Sequence, residues 1–230
     1  MKLSVATTRK ENILGFGYWL ISLFVLPTAL YLVAERLGFP LSATLLNIIF
    51  FVINFACVVG IFHKFLWKSV KVACKKPLQC LWCVVKGLAL YYALTFLVSF
   101  LTAPWMAPDF SNLNNDAVLE LIKEHTGAFV FCTILLVPIT EEVLYRGLLF
   151  QSYCRKKPKL ALLLSVCFFA AIHVLDFIGR ADWKILLICF VQYLPAGIAL
   201  VNAYVASDTI VTPMLMHITI NLISVIALTR

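Results

Sequence analysis

The sequence predicts an all-α integral membrane protein, a bundle of about seven transmembrane helices. Of its 230 residues, 63% are hydrophobic and only 13% are charged. Apolar stretches of about 20 residues, the length that crosses a hydrocarbon core of about 30 Å, recur along the chain. The polar segments between them are too short for a separate soluble domain, so one compact helical domain accounts for the sequence.

Seven spans are expected, each an apolar run of roughly spanning length. In chain order they cover residues 13–34, 39–62, 79–106, 127–150, 160–175, 185–205 and 210–228. No clear signal-peptidase site follows the first run, so it is expected to remain as an anchor. Pro138 removes a backbone hydrogen bond from the fourth span and predicts a kink there. Pro195 and Gly197 interrupt the sixth span.

The charges between the spans predict the orientation of the bundle, because lysine and arginine near span ends are retained on the cytoplasmic side. The N-terminus, the second loop and the fourth loop are basic, with Lys2, Arg9, Lys10, Lys64, Lys68, Lys71, Lys75, Lys76, Arg155, Lys156, Lys157 and Lys159. The alternate loops are acidic or nearly neutral. This pattern predicts a cytoplasmic N-terminus and a C-terminal Arg230 outside. The net charge of +8 thus indicates topology and contact with anionic lipid, and nucleic acid is not an expected partner.

Two adjacent glutamates, Glu141 and Glu142, lie inside the apolar fourth span, and Arg146 follows one helical turn later. Ionisable groups at membrane depth are costly and usually mark a functional site. At about 100° per residue, Glu142 and Arg146 share one face of the helix, so an ion pair between them is expected. Glu141 is then left without the arginine and is the better candidate for proton transfer. The alternative is a buried ion-pair cluster that only fixes helix packing.

Two histidines also lie in apolar spans, His173 in the fifth and His217 in the seventh. Asn221 follows His217 by one turn, so this helix presents an imidazole and an amide on one face. At a rise of about 1.5 Å per residue, Glu141, His217 and His173 lie about 13, 10 and 20 Å from the predicted cytoplasmic ends of their spans. These depths allow the three side chains to converge on one cavity between the cytoplasmic interface and the midplane.

Three polar patterns occur in order on separate spans: EExxxR beginning at Glu141, FxxxH ending at His173, and HxxxN beginning at His217. Together they resemble the CPBP family of intramembrane proteases, which includes CAAX prenyl endopeptidases and bacteriocin-processing or immunity proteins. The resemblance implies a CPBP-type catalytic core at residues 127–230. Residues 1–126 would then form N-terminal transmembrane helices with a basic cytoplasmic loop.

The resemblance implies hydrolysis of a peptide bond inside the membrane. Glu141 and His173 would activate a water molecule, while His217 and Asn221 would stabilise the oxyanion. These roles suit the groups, because a carboxylate can take the proton of water and donors aimed at the tetrahedral oxygen lower the barrier. The predicted ion pair between Glu142 and Arg146 would support the site without contacting the substrate.

Zinc is the rival catalyst, because Glu141, His173 and His217 offer a carboxylate and two imidazoles, which are common zinc ligands. The HExxH motif of many metalloendopeptidases is absent, and the amide that accompanies His217 is a poor zinc ligand. A glutamate protease that needs no cofactor is therefore favoured.

Two functions of other classes stay open at this point. One is a noncatalytic bacteriocin-immunity or scaffold membrane protein that binds a peptide. The other is a proton-coupled transporter, against which the sequence shows no internal repeat. The expected partners are the lipid bilayer and a membrane-tethered peptide or protein substrate, for which a prenylated tail and a hydrophobic leader are equally compatible with the sequence.

Overall fold

The structure is a computed structural model that describes residues 3–38, 42–108, 110–124 and 126–229. Within these residues the regular structure is entirely helical, which confirms the predicted all-α class. Arg230, on which the predicted position of the C-terminus depends, lies outside the described residues.

Nine helices organise the described chain. In order they are α1 Arg9–Phe24, α2 Leu26–Arg36, α3 Ala43–Lys75, α4 Pro77–Thr102, α5 Leu113–Glu124, α6 Gly127–Cys154, α7 Pro158–Ile172, α8 Trp183–Ser207 and α9 Val211–Leu228. Single turns of 3₁₀-helix follow α4 at Ala103–Trp105 and α7 at Leu175–Phe177. α6 contains two π-helical stretches, Cys132–Leu136 and Val143–Phe150.

Five of these helices, α3, α4, α6, α8 and α9, are long and apolar enough to cross a membrane. α1 and α2 meet at a bend of 52° and would together make a sixth span. The predicted spans fall on apolar helices, the first of them on the bent pair α1 and α2, and residues 39–41 of the predicted second span lie outside the described residues. The predicted count of seven is not confirmed, because the 15 residues of α7 rise about 22 Å, less than the hydrocarbon core of about 30 Å.

One end of the bundle, here called the basic end, comprises residues 3–11, 64–76, 151–159 and 207–211. The N-terminal segment is bound there: the Ser4 N–H donates to Asp208 at 2.7 Å and the Thr7 N–H donates to the Gln151 side chain at 2.7 Å. Lys76 Nζ lies 4.0 Å from the Asp208 carboxylate. The segment between α1 and the chain start therefore lies across the ends of α3, α6 and α8.

The opposite end comprises the end of α2, the start of α3, the end of α4, α5, residues 173–184 and the end of α9. The Thr44 hydroxyl donates to the Leu121 carbonyl at 3.4 Å, which joins α3 to α5. Asn112 donates to Gln192 at 2.7 Å, which joins the segment before α5 to the middle of α8. The segment before α5 therefore extends between the long helices toward the middle of the bundle.

The centre of the bundle is α6, in which every residue of Val143–Phe150 is buried. Two glycines allow close contact near it. A Cβ on Gly197 of α8 would lie 2.9 Å from Val166 Cγ1 of α7, and a Cβ on Gly147 would lie 2.9 Å from the Phe65 ring of α3. Since real Cβ atoms do not approach so closely, a side chain at either position would force its neighbour to shift, and the backbones of α7 and α8 come close together beside the polar cluster.

Candidate active site

The ion pair predicted within α6 is present and buried. Arg146 Nη1 donates to Glu142 Oε1 at 2.8 Å, and both side chains have no exposed surface. Arg146 Nη2 also donates to the carbonyl of Gly197 at 3.2 Å. The guanidinium lies over the Phe169 ring, 4.4 Å from its centroid. One arginine thus joins α6, α7 and α8, and the predicted pairing of Glu142 with Arg146 is confirmed.

Glu142 also contacts His217, so it joins α6 to α9. Its Oε1 lies 2.9 Å from His217 Nδ1. An ionised carboxylate only accepts hydrogen bonds, so Nδ1 carries a proton. The other ring nitrogen, Nε2, lies 3.8 Å from Glu141 Oε2. The imidazole is therefore held between the two glutamates, with one nitrogen on each.

Glu141 differs from its neighbour in being accessible. Its side chain is 15% exposed, against 0% for Glu142, and it lines a cavity of about 800 Å³. Among the described residues none forms a hydrogen bond with Glu141 Oε2. The predicted geometry, in which Arg146 pairs with Glu142 and not with Glu141, is therefore confirmed.

His173 stands where α7 ends. Its Nδ1 lies 2.8 Å from the Phe169 carbonyl one turn earlier, and its ring stacks on Tyr193 of α8 with centroids 3.9 Å apart. The Phe169 ring lies between the two imidazoles, 4.9 Å from His173 and 5.6 Å from His217. A single aromatic ring thus contacts both histidines and the arginine.

Two side chains near His173 were missed by sequence reasoning. Tyr193 supports the imidazole by stacking, and its hydroxyl accepts a hydrogen bond from the Asn114 amide at 2.9 Å. An aromatic residue in an apolar span and an asparagine in a polar loop carry no pattern that distinguishes them from packing and turn residues. Only the interruption of the sixth span at Pro195, two residues after Tyr193, pointed to this region.

Asn221 contacts the backbone of α6. Its Nδ2 donates to the Thr133 carbonyl at 2.9 Å. The Val137 N–H bonds to the Cys132 carbonyl in the π-helical register, so the next donor in that register would be residue 138, which is a proline without an N–H. Asn221 therefore replaces the hydrogen bond that Pro138 cannot make. The disturbance predicted at Pro138 appears as this π-helical turn within a continuous helix.

The cavity is lined by all four predicted catalytic side chains, Glu141, His173, His217 and Asn221, and not by Glu142 or Arg146. The expected convergence on one cavity is therefore confirmed. Its position differs from the expectation: the sequence predicts the cavity between the midplane and the basic ends of the spans, but it extends from mid-depth toward the opposite end of the bundle. It is lined there by Asn112, Asn115, Asp176 and Arg180. The short α7 is the reason, since it ends at the level of the site.

The described side chains provide no cluster of three or more histidine, cysteine, aspartate or glutamate residues that could hold a metal ion. The Nδ1 contacts of His173 with the Phe169 carbonyl and of His217 with Glu142 leave Nε2 of each ring free to face an ion, as is usual for metal-bound histidines. Of the three alternative zinc ligands, however, a contact is present only between Glu141 Oε2 and His217 Nε2, at 3.8 Å, so the described side chains do not fit a zinc ion as they stand.

A membrane-embedded helical bundle with a carboxylate and imidazoles around one internal cavity is the class that this fold and site define. Residues 123–223, somewhat less than half of the 230 residues, match the family model of the type II CAAX prenyl endopeptidase Rce1-like proteins. The chain therefore carries a domain of the CAAX protease family of intramembrane endopeptidases, and the resemblance drawn from the three motifs is confirmed. No curated protein and no solved structure matched the chain.

Proposed function

We propose that this protein is an intramembrane endopeptidase in which Glu141 acts as the general base on water, without a metal ion. The observation that carries the proposal is the different position of two adjacent glutamates. Glu141 faces the cavity and lies 3.8 Å from His217 Nε2, whereas Glu142 is fully buried in contact with Arg146. A carboxylate that reaches water and is not paired with the arginine keeps more of the basicity that proton transfer needs.

The reaction would proceed by addition and elimination. Glu141, oriented with His173 toward a water molecule in the cavity, takes one proton as the water oxygen bonds to the carbonyl carbon of the substrate. The carbonyl electron pair moves to its oxygen and gives a tetrahedral oxyanion. Collapse of this intermediate restores the C=O bond and breaks the C–N bond, while Glu141 returns the proton to the leaving nitrogen.

The oxyanion would be stabilised by His217 and by the second amide N–H of Asn221, since the first is given to Thr133. His217 Nδ1 is directed at Glu142, so Nε2 can donate to the oxyanion only when both ring nitrogens are protonated. The adjacent Glu142 carboxylate balances the positive charge of the doubly protonated His217 ring. Removing one such donor typically lowers the rate by about 10²–10³-fold.

Glu142 and Arg146 would act as positioning residues. Glu142 holds the His217 ring at 2.9 Å and Arg146 holds the α8 backbone at Gly197. Neither lines the cavity, so neither is expected to touch the substrate. We also propose that residues 127–230 form the catalytic core and that residues 1–126 form helices that support it.

A zinc-dependent reaction is the alternative within the same class. It would require His173 to lie closer to the other two ligands, so that the Nε2 atoms of His173 and His217 and the Glu141 carboxylate could meet at one ion, while both Nδ1 contacts are kept. A strong chelator should leave activity unchanged if the glutamate mechanism holds. Loss of activity on chelation, restored by added zinc, would support the metal mechanism instead.

The primary test does not require a known substrate. Peptide termini are compared across the membrane proteome of cells that carry the wild-type protein, Glu141→Gln or the control Glu35→Gln, at equal abundance. Glu35 is an exposed glutamate of α2, outside the cavity lining. We expect a set of termini that is present with the wild type and the control and falls by about 10²-fold or more with Glu141→Gln.

The same experiment separates the other functions. Identical termini in all three strains, with the biological phenotype retained by Glu141→Gln, would contradict proteolysis and favour an immunity or scaffold protein. A transporter would instead show ion or proton flux in vesicles that depends on Glu141, with no change in termini.

A further inference from the structure

We propose that the substrate reaches Glu141 from the face of the membrane opposite the basic loops, so that the protease cleaves membrane-anchored polypeptides whose susceptible segment lies on the extracytoplasmic side. The proposal rests on the proposed proteolytic function, because it assumes that the cavity admits a substrate. The route into the cavity and the orientation of the bundle rest on separate observations.

The first observation is the direction of the cavity. Above the catalytic side chains its walls are formed by the opposite end of the bundle, from Asn47 near the start of α3 to Leu228 at the end of α9. Residues before and at the start of α5 and residues after α7 also line it, including exposed Asn115 and Arg180. None of the described residues that line it belongs to the basic end as defined above.

The second observation is the packing between the cavity and the basic end. Immediately below Glu141 the side chains of Arg146, Leu148, Phe62 and Met216 have no exposed surface. A layer so densely packed leaves no passage for a peptide. The N-terminal segment lies beyond it, where Val5 is buried and its carbonyl accepts a hydrogen bond from Gln151.

The third observation is charge. Within the described residues the basic end carries Arg9, Lys10, Lys64, Lys68, Lys71, Lys75, Lys76, Arg155, Lys156, Lys157 and Lys159 against the acids Glu11 and Asp208. The opposite end carries Arg36, Lys123, Arg180 and Lys184 against Glu35, Asp116, Glu120, Glu124, Asp176 and Asp182. Because short loops rich in lysine and arginine stay in the cytoplasm, the basic end is cytoplasmic and the cavity opens outward.

These observations select a substrate class. A polypeptide anchored in the bilayer with an extended segment on the outer side can enter the cavity along the amide-rich wall formed by Asn112, Asn114 and Asn115. Amide side chains both donate to and accept from a peptide backbone. A prenylated tail on the cytoplasmic side would have to pass the buried layer around Arg146, so this geometry excludes it.

The first arm of the test measures orientation alone. Single cysteines are placed at the cavity mouth, Asn115→Cys, and at the basic end, Lys156→Cys, in a Cys74→Ser background, because Cys74 is the exposed native cysteine among those described. Intact cells are treated with a membrane-impermeant maleimide. We expect Asn115→Cys to be labelled in intact cells, and Lys156→Cys to be labelled only after permeabilisation. The reverse pattern would overturn the proposal, and the Cys74→Ser parent reports background.

The second arm tests whether the substrate enters through the cavity mouth at Asn115. A bulky impermeant maleimide on Asn115→Cys should lower the yield of Glu141-dependent termini by about tenfold or more in intact cells. The matched control is Lys184→Cys, an exposed position at the same end that does not line the cavity, and its labelling should leave the yield unchanged. Full cleavage by labelled Asn115→Cys would overturn the proposed route. If no Glu141-dependent termini appear in any strain, the proposed function fails, while the labelling still decides the orientation.

Discussion

The two sides of α6 at the level of its adjacent glutamates differ in almost every physical property. On the packed side Glu142 contacts Arg146 and His217, and all three belong to the buried core. On the cavity side Glu141 is partly exposed and lines the cavity, which Glu142 does not. One step of about 100° along a helix thus separates a group that stabilises the fold from one that is free to react.

The largest effect is expected from breaking the packed side. Glu142→Gln leaves the Arg146 charge buried without a counter-charge, which typically destabilises a protein by about 3–5 kcal/mol. Glu141→Gln should change stability by less than about 1 kcal/mol, because Glu141 is not part of that pair. Denaturation in detergent, followed by circular dichroism, measures both. Combining Glu142→Gln with Arg146→Met should recover much of the loss, and equal destabilisation by the two single glutamate variants would contradict the comparison.

The second effect concerns Asn221, which faces the cavity yet bonds to the backbone. Asn221→Ala should lower activity by about 10²–10³-fold if the amide stabilises the oxyanion. Pro138→Ala supplies the N–H that the Thr133 carbonyl lacks, so the double variant separates the two roles. We expect activity of the double variant to remain low. Recovery to the level of Pro138→Ala alone would make Asn221 a positioning residue.

The third effect tests how closely α7 and α8 must approach. Gly197→Ala places a methyl group 2.9 Å from Val166 Cγ1, and overpacking of this kind costs about 1–3 kcal/mol. Because His173 lies at the end of α7, the displacement should also reduce activity. Val166→Ala removes the contacted methyl and should restore part of both losses in the double variant, measured by melting temperature and turnover. If the losses in the double variant equal the sum of the losses in the two single variants, the contact between residues 197 and 166 is not the cause of the losses.

The smallest effect is expected at Tyr193. Tyr193→Phe keeps the ring that stacks on His173 and removes the hydrogen bond from Asn114 at 2.9 Å and the longer one to Asn112 at 3.4 Å; a hydrogen bond of this kind is worth about 0.5–1.5 kcal/mol. Turnover should fall by less than about tenfold. Tyr193→Leu, which removes the stacked ring, should reduce turnover further at similar stability. Equal activity of the two variants would show that stacking does not position the imidazole.

The sequence was most informative where a prediction depended on one helix. The pairing of Glu142 with Arg146 follows from a separation of four residues, and the all-α class follows from apolar composition. Contacts between helices were not predictable in this way, because periodicity does not fix how helices rotate and slide against one another. The stacking of His173 on Tyr193 and the bond from Asn221 to Thr133 are both of this kind.

The direction of the cavity was missed for a different reason. Depths counted from span ends assume that every span crosses the whole bilayer. α7 does not, since it ends at His173 after 15 helical residues. The predicted fifth span at residues 160–175 included residues that turn away from the helix, so the space above His173 could not be anticipated.

The brevity of α7 also affects the surrounding bilayer. Lipid chains that pack against its exposed Leu163 and Phe168 meet an apolar surface about 8 Å shorter than a typical hydrocarbon core. A bilayer adapts to such hydrophobic mismatch by local thinning, at a modest free-energy cost per ångström. The membrane beside α7 should therefore be compressed, and a neighbouring transmembrane segment there would have its outer turns pushed out of lipid and into water.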